Sequence, residues 1–215
     1  TAMTGSFIAA PLHPQEEARL VSLQSLNLLD SESSARFDAI TTLAADVFDA
    51  PIALVSLVDL KRQWYLSRCG FSRTQTARHK SFCAPALHED EILVVEDACK
   101  SPVFSTNPLV SGEQAIRFYA GAVIRDTNGL PLGTLCIMDH RPRKMCEREQ
   151  RRLIQFATLV REEILLPPEA SADRVGQQIA ARKDPISQAF WGDTFIEKSD
   201  EVESVDCEGR RVAAV

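Results

Sequence analysis

Two apolar segments separated by a short polar turn constrain the fold of this chain more than any other feature. Residues 117–126 and 132–139 are mostly apolar, and Thr127, Asn128 and Gly129 lie in the connection between them. An Asn-Gly pair tolerates the positive φ of a tight turn. Strands joined by such a turn pair antiparallel. The chain therefore predicts an antiparallel β-hairpin near its centre.

Three more segments predict strands of the same sheet. Residues 51–59 form a β-branched apolar run, and residues 62–69 follow after a tight connection with a more alternating pattern. This pair predicts a second hairpin. Residues 92–97 predict a shorter strand. We therefore expect one sheet of five strands.

Apolar side chains spaced three or four positions apart predict three helices. The first begins near Pro14, the second covers residues 34–49 and the last covers roughly residues 147–166. Their predicted buried faces are Leu20, Leu23 and the cluster 26–29 in the first helix, Phe37, Ile40, Leu43 or Ala44 and Val47 in the second, and Leu153, Phe156 with Ala157, Val160 and Ile164 in the last.

These elements predict a mixed α+β fold with a central antiparallel sheet. The terminal helices would cover one face, while loops and short helices in residues 70–90 and 98–116 would roof the other and leave a pocket. We expect a flexible arm over residues 1–13 and one domain over 14–166. Residues 167–215 predict an extension that is partly helical and then acidic and disordered.

Composition narrows the classes of function. In 215 residues, 45% are hydrophobic, which is enough to build a core without disulfides or a metal. The formal net charge of −6 argues against nucleic-acid and membrane-surface partners, which both need clustered Lys and Arg. The four His are scattered, which predicts no metal site. No cofactor is indicated.

The cysteines and the absence of an export pattern predict where the protein works. The six Cys are irregularly spaced, no apolar run approaches the length that crosses a bilayer, and no signal-peptide pattern is present. Free thiols in a reducing, cytoplasmic compartment are therefore expected.

Taken in order, several segments between residues 14 and 166 resemble the GAF family of sensor domains: LNLLDSESSARFDAIT, APIALVSLVDLKRQWYLS, SFCAPAL, LVVEDACKSPVFSTNPLV, IRFYAGAVI and GTLCIMDHRPR. They are similar to GAF modules at the N-terminus of bacterial histidine kinases and diguanylate cyclases. The resemblance implies a ligand pocket between the sheet and the middle loops, and flanking helices that often pair with a second copy. Pro85 departs from the pattern, because members often have a His at this position.

Eight residues are candidates for contact with a small ligand. N–H groups at the start of the helix near Ser81 could receive an anionic group, and Arg117 could grip a carboxylate or phosphate. Each candidate also has a structural explanation, such as a core aromatic, a helix cap at Ser81, or an ion pair of Arg117 with Asp97 or Asp59. The set is Trp64, Ser81, Phe82, Cys83, Phe104, Asn107, Arg117 and Tyr119.

Three functions fit these features. The first is a small-molecule sensor, with a nucleotide or metabolite as ligand, that regulates a kinase or cyclase of a two-component or related pathway in cis or in trans. The second is a thiol-dependent redox enzyme or redox sensor, similar to free methionine sulfoxide reductases, that uses Cys83 and Cys99. The third is a ligand-free module that dimerises through its first and last helices. A regulatory role is favoured over catalysis.

Overall fold

Six strands form a single antiparallel sheet in the order β3-β2-β1-β6-β5-β4. The computed structural model describes residues 9–32 and 34–166, together with the backbone of 204–205 and 211–212. The strands are β1 Ile52–Val58, β2 Arg62–Cys69, β3 Gln75–Ala77, β4 Ile92–Val95, β5 Phe118–Arg125 and β6 Pro131–Asp139. The predicted α+β class and the predicted strand pairing are confirmed.

In the described residues, five α-helices accompany the sheet, and three of them lie where the apolar periodicity predicts helices. They are α1 Glu16–Ser25, α2 Ala35–Val47, α3 Cys83–Ala86, α4 Pro108–Ser111 and α5 Glu147–Leu165. A 3-10 turn covers Arg78–Lys80. Each helix of the described residues is too short or too polar to cross a bilayer.

The sheet separates two hydrophobic clusters. One lies between the sheet and helices α1, α2 and α5, and it contains Leu23, Phe37 and Leu153. The other lies under the segments that connect β2 to β5, and it contains Phe82 and Phe104. Alternate side chains of one strand enter different clusters, as the geometry of a strand requires. Both sheet faces are therefore covered, as expected from strands that are apolar on both sides.

The buried face of α2 differs in detail from the prediction, whereas that of α5 matches it. In α2 the buried side chains include Phe37, Thr41 and Ala44, whereas Leu43 and Val47 are 52% and 47% exposed. Ala44 belongs to the cluster that contains Leu23, and Leu43 lies outside it. In α5 the predicted face is buried at Leu153, Ala157, Val160 and Ile164.

One connection differs from the prediction and one matches it. Residues 75–77 form an edge strand, although the polar sequence of 70–80 predicted a loop. Thr127, Asn128 and Gly129 lie in the hairpin connection between β5 and β6 as predicted, and the Asp126 carboxylate accepts the N–H groups of Asn128 and Leu130, both at 2.8 Å. Only Gly129 in this turn has a positive φ, at +81°.

The predicted terminal segments lie largely outside the described residues. Of the predicted arm, residues 9–13 are described, and the Pro11 carbonyl lies 3.1 Å from Nε2 of His88. Of the predicted extension over 167–215, only a backbone pairing is described, in which Ser204–Val205 and Arg211–Val212 run antiparallel.

Candidate functional site

The segments between β2 and β5 form a roof over one face of the sheet, which we define as residues 70–90 and 98–116. Ser81 starts its first short helix: the Ser81 hydroxyl accepts the N–H groups of Cys83 and Ala84 at 2.9 and 3.0 Å and donates to the side-chain carbonyl of Gln63. Ser81 therefore acts as a helix cap and also connects α3 to strand β2.

Asn107 joins the two halves of the roof. Its Oδ1 accepts the N–H of Leu109 at 2.8 Å, which caps α4, and its Nδ2 donates to the Lys80 carbonyl at 3.1 Å. The side chain is fully buried, so both hydrogen bonds are shielded from water. This predicted ligand-binding residue thus has a clear structural role in holding the roof.

Three aromatic rings fill the space beneath the roof. Phe82 stacks on Phe104, with ring centroids 4.5 Å apart, and on Tyr119, with centroids 5.2 Å apart. All three side chains are at least 97% buried. Offset stacks of this kind add about 0.5–1.5 kcal/mol per pair beyond the burial of their surface.

The remaining cavity under the roof is very small. Its volume is about 10 Å³, which holds about one water molecule. A ligand-sized pocket was predicted here, and this conformation does not contain one because the stacked rings occupy the space. The lining residues are Gln63, Tyr65, Phe71, Phe82, Cys83, Leu109, Ile116, Tyr119 and Met138.

A buried polar cluster forms the floor of this cavity. Gln63 Nε2 donates to Ser56 Oγ at 2.9 Å and to the Cys83 sulfur at 3.2 Å. The Tyr119 hydroxyl donates to the same sulfur at 3.4 Å, and the sulfur of Cys136 lies 3.9 Å away. These five side chains are all at least 97% buried. Their hydrogen bonds satisfy polar groups that would otherwise be costly to bury.

The cluster shifts the pKa values of its two thiols in opposite directions. Burial raises the pKa of Cys83, but hydrogen bonds from Cys136 and Tyr119 outweigh it and leave this pKa below its usual value. The pKa of Cys136 is raised, first because its thiol donates to Cys83 and second because it is buried. Burial beside Cys83 also raises the pKa of Tyr119. Cys83 is therefore the more readily ionised thiol of the pair.

Three of the eight predicted ligand contacts line the cavity: Phe82, Cys83 and Tyr119. Ser81, Phe104 and Asn107 belong to the roof without lining the cavity, and Trp64 and Arg117 are held elsewhere. Trp64 is on the opposite face of β2 from Gln63 and Tyr65, where the Arg62 guanidinium lies 5.4 Å from its ring centroid. Arg117 precedes β5, and its Nη1 donates to the carbonyls of Val110 and Ile116 at 2.9 and 3.2 Å. Neither residue lines the cavity, and the ion pair of Arg117 with Asp97 or Asp59 is not formed.

The predicted pair of Cys83 and Cys99 is also not assembled. Cys99 is exposed on the loop after β4, where its N–H is held by Asp97. Cys83 lies under the roof beside Cys136, which the sequence suggested to be only a small buried hydrophobe. Alternation along β2 could have placed Gln63 with Tyr65 on the face away from Trp64.

An ion-pair network connects the roof to the first helix. The Arg78 guanidinium, in the 3-10 turn of the roof, lies 2.5 Å from the Glu16 carboxylate. Arg19 is fully buried. It pairs with the same carboxylate at 2.6 Å and donates to the Val58 carbonyl at 2.6 Å. The hydrogen bonds of Glu16 thus hold α1, the sheet and the roof together.

No metal site is found in the part of the chain that the structure describes. Within these residues, no three His, Cys, Asp or Glu side chains are grouped so that they could hold an ion.

Comparison with known proteins agrees with this architecture. The GAF domain family profile matches residues 32–164. Over 155 residues the chain is 41% identical to a cyclic di-GMP phosphodiesterase of Pseudomonas aeruginosa, an alignment that covers 71% of this chain and 26% of that protein. The chain thus spans about a quarter of the length of this relative.

Solved structures share the fold at low identity. The GAF domain of an Acinetobacter phosphoenolpyruvate-protein phosphotransferase is 16% identical, with a TM-score of 0.52 over 74% of this chain and 98% of that one. A free methionine-R-sulfoxide reductase of Neisseria meningitidis, in complex with its substrate, is 15% identical, with a TM-score of 0.51 over 73% of this chain and 95% of that one. With the profile match and the six-stranded sheet, these findings establish that the chain belongs to the GAF domain family.

Proposed function

We propose that this GAF domain is a regulatory domain in cyclic di-GMP signalling. The supporting observation is the 41% identity to a cyclic di-GMP phosphodiesterase over most of this chain. In this proposal a change under the roof alters the packing of α1 and α5. The responding partner is an output domain, such as a phosphodiesterase, cyclase or kinase, in the same chain or in a separate one.

The ion-pair network supplies a route for such a signal. Arg78 belongs to the roof and Glu16 to α1, and their side chains are in direct contact. A displacement of the roof turn would therefore break or move a charged contact of the helix. The free energy available for regulation is the difference in ligand affinity between the two arrangements.

A small-molecule ligand would require the roof to open. The cavity holds about one water, so Phe82 and Phe104 would have to separate before a nucleotide or metabolite could enter. Gln63 and Tyr119 would then present polar groups from the sheet, while Phe82 would contact the apolar part of the ligand. Free thiols at the site fit a reducing, cytoplasmic compartment.

A domain exchange tests the regulatory role. Residues 14–166 would replace the matching domain of the Pseudomonas phosphodiesterase, and hydrolysis of cyclic di-GMP would be measured. We expect the exchanged protein to differ in rate from a form that lacks the domain, and Glu16→Gln to change that rate further. Glu17→Gln is the control, because Glu17 is exposed on the same turn as Glu16 and outside the network. Equal rates with and without the domain would contradict the proposal.

A thermal-shift screen tests the ligand. Cyclic di-GMP, GMP, cyclic AMP and free amino acids would each be added to the 215-residue protein. A ligand at one hundred times its Kd would stabilise the fold by about 2.7 kcal/mol. We expect the stabilisation to disappear in Gln63→Leu, which removes a polar group of the cavity floor, and to persist in Leu159→Ala.

A ligand-free dimerisation module is the second candidate, and the small cavity favours it. Helix α1 exposes Val21, which is 64% accessible, beside an open groove of about 510 Å³. Leu26, Leu130 and Leu165 also line this groove. A second copy of the domain could cover these apolar side chains, as proposed for association through the first and last helices.

A further inference from the structure

Two cysteines from distant parts of the chain meet in the centre of the domain. Cys83 begins α3 in the roof and Cys136 lies in β6, which is an interior strand of the sheet. They are 53 positions apart, and their sulfur atoms are separated by 3.9 Å. A disulfide requires about 2.05 Å, so each sulfur would have to move by roughly 1 Å.

The surroundings of the two sulfur atoms give them different chemical roles. Gln63 and Tyr119 donate hydrogen bonds to the Cys83 sulfur, and such donors stabilise a thiolate. The sulfur of Cys136 lies 3.9 Å from the same sulfur. The small cavity is lined by Cys83 and does not include Cys136. Cys83 is therefore the sulfur that a small reagent would meet first.

We propose that Cys83 and Cys136 are a redox-active pair that closes to a disulfide when a small hydroperoxide enters the cavity under the roof. Cys83 gives up its thiol proton and its sulfur attacks one peroxide oxygen. The O–O bond breaks, Cys83 becomes a sulfenic acid, and the departing oxygen takes that proton and leaves as water or alcohol. The sulfur of Cys136 then attacks the Cys83 sulfur, and the S–O bond breaks. The hydroxide takes the Cys136 proton and leaves as water. The two thiols together lose two electrons, and the peroxide gains them.

The resulting bond would connect the roof covalently to the sheet. Helix α3 would be tied to β6, and the roof could no longer separate from the sheet at this point. The bond would also close a long loop of chain, which restricts the unfolded state and stabilises the folded one. This proposal does not depend on a role in cyclic di-GMP signalling, because it concerns only the two thiols.

Oxidation of the complete protein tests the pair. The reduced protein would be treated with hydrogen peroxide, quenched with catalase, alkylated and digested for mass spectrometry. We expect a peptide that links Cys83 to Cys136, a loss of two hydrogens from the intact mass, and reversal by dithiothreitol. The melting temperature should rise on the order of 10 °C on oxidation and return on reduction.

Variants separate this pair from the other thiols. Cys99→Ser should oxidise like the wild type, because Cys99 is exposed and outside the cluster. Cys136→Ser should stop at the sulfenic acid of Cys83, which dimedone traps, and Cys136→Ala serves if the serine variant does not fold. A disulfide between other cysteines, unchanged thiols in the folded wild type, or equal oxidation in Cys83→Ser would overturn the proposal.

Discussion

We expect a conservative substitution of Glu16 to disturb several buried contacts at once. Its carboxylate pairs with Arg19 and Arg78, whose side chains are 0% and 8% exposed. Glu16→Gln keeps the shape but leaves two buried guanidinium groups without their counter-charge. We expect a loss of about 3 kcal/mol in the free energy of unfolding, measured by urea denaturation. Glu17→Gln is the control: Glu17 is exposed on the same turn, and its loss should stay within about 0.5 kcal/mol.

The same carboxylate predicts a pH dependence. Burial tends to raise its pKa, but hydrogen bonds from Arg78 and Arg19 lower it from 4.5 to about 2. Because the folded pKa lies below the unfolded one, the contribution of Glu16 is complete above the unfolded pKa. It is lost as the pH falls from 4.5 towards about 2. Urea denaturation at several pH values should show the difference between wild type and Glu16→Gln narrowing over this range. A constant difference would contradict the assignment.

Among the secondary-structure elements, the pairing of β1 with β6 depends on a glycine, which has no side chain, at position 133. A Cβ on Gly133 would lie 1.8 Å from the Ser56 carbonyl oxygen of the neighbouring strand. Backbone cannot yield as a flexible side chain can, so Gly133→Ala should cost about 3 kcal/mol in urea denaturation. Gly129→Asn is the comparison, since nothing lies within 4 Å and Asn tolerates its φ of +81°. Equal losses in the two variants would refute this explanation.

We expect the buried face of helix α5 to provide most of the contribution of this helix to the stability of the fold. Leu153 is fully buried against the sheet, whereas Leu159 on the same helix is 50% exposed. Leu153→Ala should lower the free energy of unfolding by about 3 kcal/mol through lost burial and a residual cavity. Leu159→Ala should change it by no more than about 0.5 kcal/mol. Chemical denaturation of the two variants measures both values, and similar losses would mean that the face is assigned incorrectly.

At the scale of the whole molecule, we predict self-association through the groove beside α1. Val21→Asp would place a charge on the exposed apolar side chain at this groove, and we expect dimerisation to weaken at least tenfold, or about 1.4 kcal/mol. Val103→Asp is the matched control, because Val103 is 50% exposed on the roof. Sedimentation over a range of concentrations measures both. A wild-type monomer at high concentration would exclude this interface.

Local patterns along the chain are sufficient to predict the elements and the layers of this protein. Local backbone geometry underlies two kinds of pattern: apolar runs at 117–126 and 132–139 joined by an Asn-Gly turn, and apolar residues that recur about every 3.6 positions over 147–166. Those patterns therefore predicted the antiparallel sheet and its helix-covered face. They could not show that Arg19 would be buried, because a single charged residue carries no periodic signal.

The contents of the site depend on contacts between distant segments, which local patterns do not show. Cys136 meets Cys83 across 53 positions of chain, and no spacing rule anticipates a contact of that kind. The same holds for the cavity, whose volume is the small difference between the space under the roof and the side chains that fill it. Trp64 is an example of what local pattern cannot predict. Alternation places its side chain opposite to that of Gln63, but only the packing of the layers decides which of these two side chains points towards the roof.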